Sequence, residues 1–408
     1  MDRFLSRLGY GGLGQPFYRF FRTHLGFVIF TNLHGVFINT LLMRVSGDSG
    51  IAMKFNLISY LVMGPMMALA VGLTKKTSPV FTLRIGVGMY LGMYLAFFLG
   101  LSNLARVMPL MAIFSGLGAG SYYYANNLGF GGYLTDAERD RGFGLSSMGE
   151  GIAALAVPFL SGSIISRFEG LAGYLIVFGL GMAMAAVTVI FSMSLAPLPS
   201  MGNKTRYREA LHVSFCNGPF CLMMFSNLIK GIRAGLLGFF LSLILYEVVQ
   251  SEFTVGLNTL LSGGFGILGA MIYGRVVREK QRFPSMLIST TVLIAASLLL
   301  LNLTPAAIIV FSILNSFCGY FLANPTMTLY YAVIQLPEYE ALQGEFHGIK
   351  ELFITVGRAA GILFAMTCGG IVSPVLMVVL LTLTQYPMIA MLLPVQKLLA
   401  ARKAANNS

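Results

Sequence analysis

Ser226, Lys230 and Arg233 are spaced i, i+4, i+7 in an otherwise apolar stretch, with Asn227 on the turn before Lys230. On a helix the first three share one face, and two cations on that face would favour an anionic substrate or substrate group. The competing reading is that they pair with glutamates or snorkel towards an edge. Glu150 is a carboxylate inside an apolar run, with Ser146 and Ser147 one turn earlier. Desolvated and alone it would hold a proton and act as a carrier, whereas beside an arginine it would stay ionised. Arg358, on a face with Thr355 and Glu351, is the candidate partner, as a coupling or interdomain ion pair.

Two further pairs stand four residues apart, Tyr122 with Asn126 and Tyr320 with Asn324, the second extended by Thr328 and Tyr331. Asn32 and Asn39 lie seven apart on one face, while His34 points elsewhere and reads as a satisfied packing residue. Amides and phenols of this kind either bind a polar substrate or hydrogen-bond neighbouring helices in a bilayer. Asn32, Asn39, Tyr122, Asn126, Asn227, Lys230, Arg233, Tyr320 and Asn324 are therefore the candidate substrate-binding residues.

Other chemistries find no support. Gly264, Gly266 and Gly269 spell a formal GxGxxG, yet inside an apolar run, where close helix packing explains them, as it does Gly116, Gly118 and Gly120. There is no P-loop, H-E-x-x-H or G-x-S-x-G motif. Cys216, Cys221, Cys318 and Cys368 lack metal or redox spacing and read as small core residues. The acids Asp136, Glu138, Asp140, Glu338 and Glu340 sit in short polar connections without a metal-ligand pattern. Neither a cofactor nor a metal is expected.

The elements that must position these residues follow from composition. Of 408 residues 56% are hydrophobic and 10% charged, with 27 Lys+Arg against 15 Asp+Glu, too few charges to cover a water-soluble fold of this size. The net charge of +12 then marks a cytoplasmic membrane face rather than a nucleic-acid surface. Apolar runs predict twelve spans near residues 25–43, 51–73, 80–101, 106–131, 144–166, 171–196, 219–246, 254–276, 284–303, 305–333, 348–368 and 372–394.

Basic residues concentrate in alternate connections, among them Lys75, Lys76, Arg206, Arg208, Arg282 and Arg402, whereas Arg44, Lys54, Arg106 and Arg167 fall on the other side. This bias predicts cytoplasmic termini in a multi-pass plasma-membrane protein. The first 22 residues, with Arg3, Arg7, Arg19 and Arg22 among Phe and Leu and no cleavage site, read as an uncleaved interfacial segment. The expected organisation is an N-terminal segment (1–24), a six-helix bundle (25–196), a central cytoplasmic linker (197–213), a second six-helix bundle (214–394) and a cytoplasmic tail (395–408).

An internal repeat supports two halves. FTNLHG from Phe30 matches FSNLIKG from Phe225 at an offset of 195, and IFSGLGAGSYYYANN from Ile113 matches VFSILNSFCGYFLANP from Val310 at 197 to 198. GEGIAALAVPFLSG from Gly149 resembles GRAAGILFAMTCGG from Gly357, which sets Glu150 opposite Arg358 in the repeat.

Two six-helix halves of one orientation, a central basic loop and no large extra domain resemble the major facilitator superfamily (MFS) of secondary transporters, over essentially the whole chain. The resemblance rests on architecture more than on signature residues. The loop GLTKKTSP keeps the Gly72, Lys75 and Lys76 of the family's pattern but lacks its acid, and GRVVREKQRFP keeps Gly274, Arg275, Arg278 and Lys280. The resemblance implies an all-α polytopic membrane protein of twelve transmembrane helices in two pseudo-symmetric bundles. It also implies alternating access around a midplane site lined by the first, fourth, seventh and tenth helices.

The leading functional expectation is a transporter, not an enzyme, that moves a small polar solute, anionic if the helix-seven cations face it. Its partners would be the small-molecule substrate, the lipid bilayer and a coupling proton or cation, with no nucleic acid, and the chain would act as a monomer. The 24 Met and 32 Phe motivate a second reading, multidrug, amphiphile or lipid export, since soft and aromatic linings adapt to varied ligands. An intramembrane lipid-modifying enzyme and a non-transporting receptor or scaffold stand behind both.

Overall fold

In a bilayer every backbone N–H and C=O must be satisfied within its own segment, which favours helices for runs this apolar. The computed structural model describes residues 12–134, 136–198, 204–277, 281–302, 304–334, 336, 338, 339, 342–367, 379 and 382–406, and its regular elements there are all helices. They are α1 (Gln15–Gly35), α2 (Phe37–Ser46), α3 (Ser49–Lys76), α4 (Pro79–Leu99), α5 (Leu104–Tyr133), α6 (Asp136–Ile165), α7 (Ala172–Met193), α8 (Tyr207–Cys216), α9 (Gly218–Val249), α10 (Glu252–Val276), α11 (Arg282–Leu299), α12 (Pro305–Ile334), α13 (Gln343–Thr367) and α14 (Gln385–Asn406).

If α1 and α2 count as one span broken at Val36, and α8 as a linker helix, the remaining helices follow the expected spans in order, except that α14 begins at Gln385, inside the expected twelfth span, and runs on through the expected tail. Eight of these, among the described residues, are both long and apolar enough to cross a membrane. Arg3, Arg7, Cys368, Glu340 and the start of the twelfth span lie outside the described residues, as do the side chains of Ser147, Asp136, Glu138, Asp140, Arg275, Arg278, Lys280, Thr328 and Tyr331.

Local sequence sets the boundaries. Asp48, Ser78, Asn103 and Asn217 cap α3, α4, α5 and α9 by accepting from Gly50, Phe81, Arg106 and Phe220 N–H groups. Each such cap contributes about 1 kcal/mol. Gly47, at φ 70°, ends α2 in the left-handed region where a side chain would be strained.

Two departures from the sequence reading matter. The first span begins at Gln15 rather than near residue 25, because Phe17, Phe20, Phe21, His24 and Phe27 continue one buried stripe. The arginines between them turn aside: Arg19 Nη1 donates to Ser194 O at 3.3 Å and Arg22 Nη2 to Ser194 Oγ at 3.1 Å. The expected linker is itself helical from Tyr207, with Ala210 buried against Phe220, Phe346 and their neighbours.

The chain forms two compact units. Unit 1 comprises Met1–Lys204 and Ser251–Leu260, and unit 2 comprises Thr205–Gln250 and Leu261–Ser408, so the first turns of α10 group with unit 1. There Glu252 accepts from Arg44 Nη1 at 2.7 Å and from the Tyr174 hydroxyl at 3.1 Å.

Within each unit the helices meet at glycines. In unit 1 a Cβ on Gly116 would lie 2.4 Å from Ser59 O, one on Gly120 2.6 Å from Met63 O, and one on Gly86 2.7 Å from Tyr122 N. These residues bring α3 and α4 against α5 at backbone distance. In unit 2, Gly231, Gly235, Gly357 and Gly361 alternate along the α9–α13 contact, where an added Cβ would lie 2.1 to 2.3 Å from a carbonyl oxygen of the facing helix. Gly269 does the same against Phe317 O at 2.4 Å, so the formal GxGxxG is helix packing at that position.

Candidate functional site

Lys230 and Arg233 lie on α9 where the glycine seam presses it against α13. The charges that act on Lys230 come from α13: Lys350, Glu351 and Arg358. Lys350 Nζ is 3.2 Å from Glu351 Oε1 and 5.0 Å from the centre of the Tyr330 ring on α12. Both members of that ion pair are largely buried, with side-chain exposures of 5% and 14%. Lys230 thus lies in the field of two further cations and one carboxylate of α13. Like charges so placed repel strongly unless an anion joins them.

Arg233 reaches α12, where Nη2 donates to Asn315 Oδ1. Its Nε and the Oγ of Ser226, two turns earlier on α9, are buried without a hydrogen-bond partner among the described residues. Buried polar atoms of this kind cost about 1–3 kcal/mol each unless a ligand or water satisfies them. Asn227 is buried and donates to Met223 O at 2.9 Å, bonding within its own helix. On α12, Tyr320 is exposed and Asn324 half-buried.

Unit 1 holds a different constellation. His24 on α1 is buried, with Nδ1 3.0 Å from the Tyr122 hydroxyl on α5 and Nε2 2.7 Å from Glu150 Oε1 on α6. The Tyr122 ring lies flat on Phe27, 3.3 Å between centroids and 2° between planes. Glu150 is the open end, its side chain 46% exposed against 5% for His24. Asn126 is buried with Oδ1 unpartnered among the described residues, Asn39 accepts from Asn56 Nδ2 at 2.7 Å, and Asn32 donates to Val28 O at 2.8 Å. His34 is a packing residue, its Nδ1 2.7 Å from the Tyr94 hydroxyl and 3.0 Å from Phe30 O.

Thus only some of the predicted site residues come together, while Asn32 and Asn227 bond within their own helices and Asn39 pairs with Asn56. Lys230 and Arg358 come together in unit 2, and Tyr122 joins Glu150 through His24 in unit 1. Sequence reading missed Lys350, at the edge of the expected eleventh span, and His24, at the end of the expected interfacial segment. His24 lies three residues before Phe27 and four after Phe20, a helical spacing that would have placed it on the buried face.

Outside the helical core, Arg402 binds Glu338 with both guanidinium NH2 groups, at 3.0 and 2.5 Å. This fork holds the Glu338 carboxyl below the ordinary carboxylate range.

Comparison with known proteins agrees with this architecture. A relative from Bacillus subtilis (strain 168), "Uncharacterized protein YqgE", is 25% identical over 334 residues, covering 81% of this chain and 77% of the relative. Among solved structures, the nucleoside transporter NupG superposes with a TM-score of 0.69 at 13% identity, over 94% of this chain and 99% of the other. A D-xylose–proton symporter gives 0.67 at 12% identity, over 91% and 96%. The sequence model of the Major Facilitator Superfamily matches residues 15–341, and the chain belongs to that superfamily.

Proposed function

We propose that this protein is a secondary active transporter that moves a small polar solute carrying a negative charge, by alternating access and driven by an ion gradient. The carrying observation is the α9 face in unit 2, where Arg233 Nε and Ser226 Oγ are buried without a partner among the described residues and where Lys230 feels Lys350, Arg358 and Glu351. A bound anionic group would supply the missing acceptor and offset the repulsion. In this reading the protein works as a monomer in the cytoplasmic membrane, with both termini on the cytoplasmic side, as the basic connections favour.

The structural neighbours are named for a sugar and for nucleosides, polar solutes without the required charge, so an anionic cargo would set this chain apart from them. A second reading, amphiphile export, is favoured by an apolar cavity of about 440 Å³ in unit 2, lined by Ile288, Val292, Leu314, Phe317, Cys318 and Phe321.

A thermal-shift screen of anionic metabolites, neutral sugars and nucleosides, and amphiphilic drugs on purified protein separates the readings, with hits carried into counterflow in reconstituted vesicles. The expected result is an anionic stabiliser whose effect disappears in Lys230→Ala/Arg233→Ala. Hits confined to neutral solutes or amphiphiles, unchanged in that variant, would overturn the proposal.

A further inference from the structure

An ionisable side chain inside a membrane helix is costly and is retained where it does work. Unit 1 spends two on one contact, His24 and Glu150, and fixes their geometry with a third group. An ionised carboxylate can only accept, so at 2.7 Å the Nε2 of His24 must carry the hydrogen it donates to Glu150. Nδ1 is then the lone-pair side of a neutral imidazole and accepts from the Tyr122 hydroxyl at 3.0 Å. Tyr122 cannot drift, being stacked on Phe27, and the His24 ring packs between Phe20, at 6.3 Å, and Tyr122, at 6.2 Å, with Phe130 edge-on at 5.7 Å. The result is a chain of hydrogen bonds with a buried base at its centre and a half-exposed acid at its mouth.

We propose that His24 and Glu150, aligned by Tyr122, form one proton-binding site within unit 1. In the unloaded state the pair is neutral imidazole and carboxylate, with a net charge of −1. A proton taken up from water adds at Nδ1, so that both ring nitrogens carry hydrogen and the pair becomes imidazolium and carboxylate with a net charge of zero. Binding at Nδ1 reverses the bond to Tyr122, whose hydroxyl must then accept and turn its own hydrogen elsewhere. Asn126, four residues on along α5 and on the same face, carries a buried Oδ1 with no partner among the described residues, an acceptor suited to that turned hydrogen.

Among the described residues, the charged groups on the other helices packed here make their own contacts. On α1, Arg19 and Arg22 bond to Ser194. On α4, Arg84 Nη2 donates to Ser192 O at 3.0 Å. On α5, Tyr123 stands edge-on to Tyr122 and to Phe27. A single negative charge that a proton cancels gives the ion gradient of the proposed transport cycle a place to act. The site rests on its own geometry, not on the identity of the solute.

The test is nitrogen-15 magnetic resonance of full-length protein in lipid nanodiscs, labelled at its four histidines, with the His24 signals assigned by their loss in His24→Gln. The expected result is a neutral, Nε2–H ring at high pH whose two nitrogens change together as the pH falls. In Glu150→Gln the Nε2–H preference should weaken, because a neutral amide oxygen accepts less strongly than a carboxylate. Tyr122→Phe should erode the Nε2–H preference, a change that loss of packing alone would not produce. A His24 ring that stays neutral throughout the folded range, or keeps the same Nε2–H preference without the Glu150 carboxylate, would overturn the inference. Either result leaves the solute screen untouched, and a failed screen leaves this titration interpretable.

Discussion

The α9–α13 seam makes a quantitative demand. A methyl group added at Gly357 would sit 2.1 Å from the carbonyl oxygen of Leu228 and 2.8 Å from the amide nitrogen of Ile232. A carbon atom rests against a carbonyl oxygen at about 3.3 Å, so Gly357→Ala must part the two helices locally by about 1 Å. The obstacle is backbone on a facing helix, which cannot swing aside as a side chain can. Overpacking of this kind costs about 1–3 kcal/mol, or roughly 2–12 °C of unfolding temperature for a unit of this size. The higher helix propensity of alanine offsets less than about 1 kcal/mol of that.

Gly264 on α10 is the matched control, because nothing lies within 4 Å of where its Cβ would be. Heating detergent-solubilised protein with a thiol-reactive dye reports exposure of the buried Cys318 in the same unit. Gly357→Ala should unfold clearly below the parent, and Gly264→Ala at or above it. If Gly357→Ala unfolds with the parent, the helices do not touch at backbone distance and the placement of Lys230 beside Arg358 loses its basis.

Two other expectations are more local. Glu252→Gln keeps an acceptor for Tyr174 but removes the charge facing Arg44 at 2.7 Å, and should lower the unfolding free energy by about 1–3 kcal/mol, read by thermal unfolding against Arg44→Ala/Glu252→Gln, in which the penalty should shrink. The Glu338–Arg402 fork lowers the folded-state pKa of the carboxyl. Its stabilising effect is therefore present above the unfolded carboxylate value, near 4.3, and is lost as pH falls through the lower folded value. Arg402→Ala should return the Glu338 carboxyl towards that ordinary value in a carbon-13 titration; because the pair is exposed, global stability should scarcely change.

Architecture was readable in the sequence because the bilayer leaves so few solutions. Long apolar runs, the basic connections and the offset of 195 between Phe30 and Phe225 leave little besides two helical bundles. What the sequence concealed were positions where a polar residue belongs to a buried face. Arg19 and Arg22 made the stretch before residue 25 look interfacial, although Phe17, Phe20 and His24 on its other side are core. Lys350 was hidden for the same reason, standing next to Glu351 at the head of α13, where a neighbouring ion pair reads as a solvated end. The repeat set Glu150 opposite Arg358 by position, but a repeat carries no information on which side chain a carboxylate meets. Within unit 1 it meets His24, from a different helix and 126 residues away.

The interlocked glycines of α9 and α13 have a consequence for recognition. Helices that share a surface at backbone distance move as one rigid piece, so Lys230, Lys350 and Arg358 are gathered while the protein folds, not when a solute arrives. On the proposed function, an anion entering there would find a field already assembled and would bind with little reorganisation of these helices.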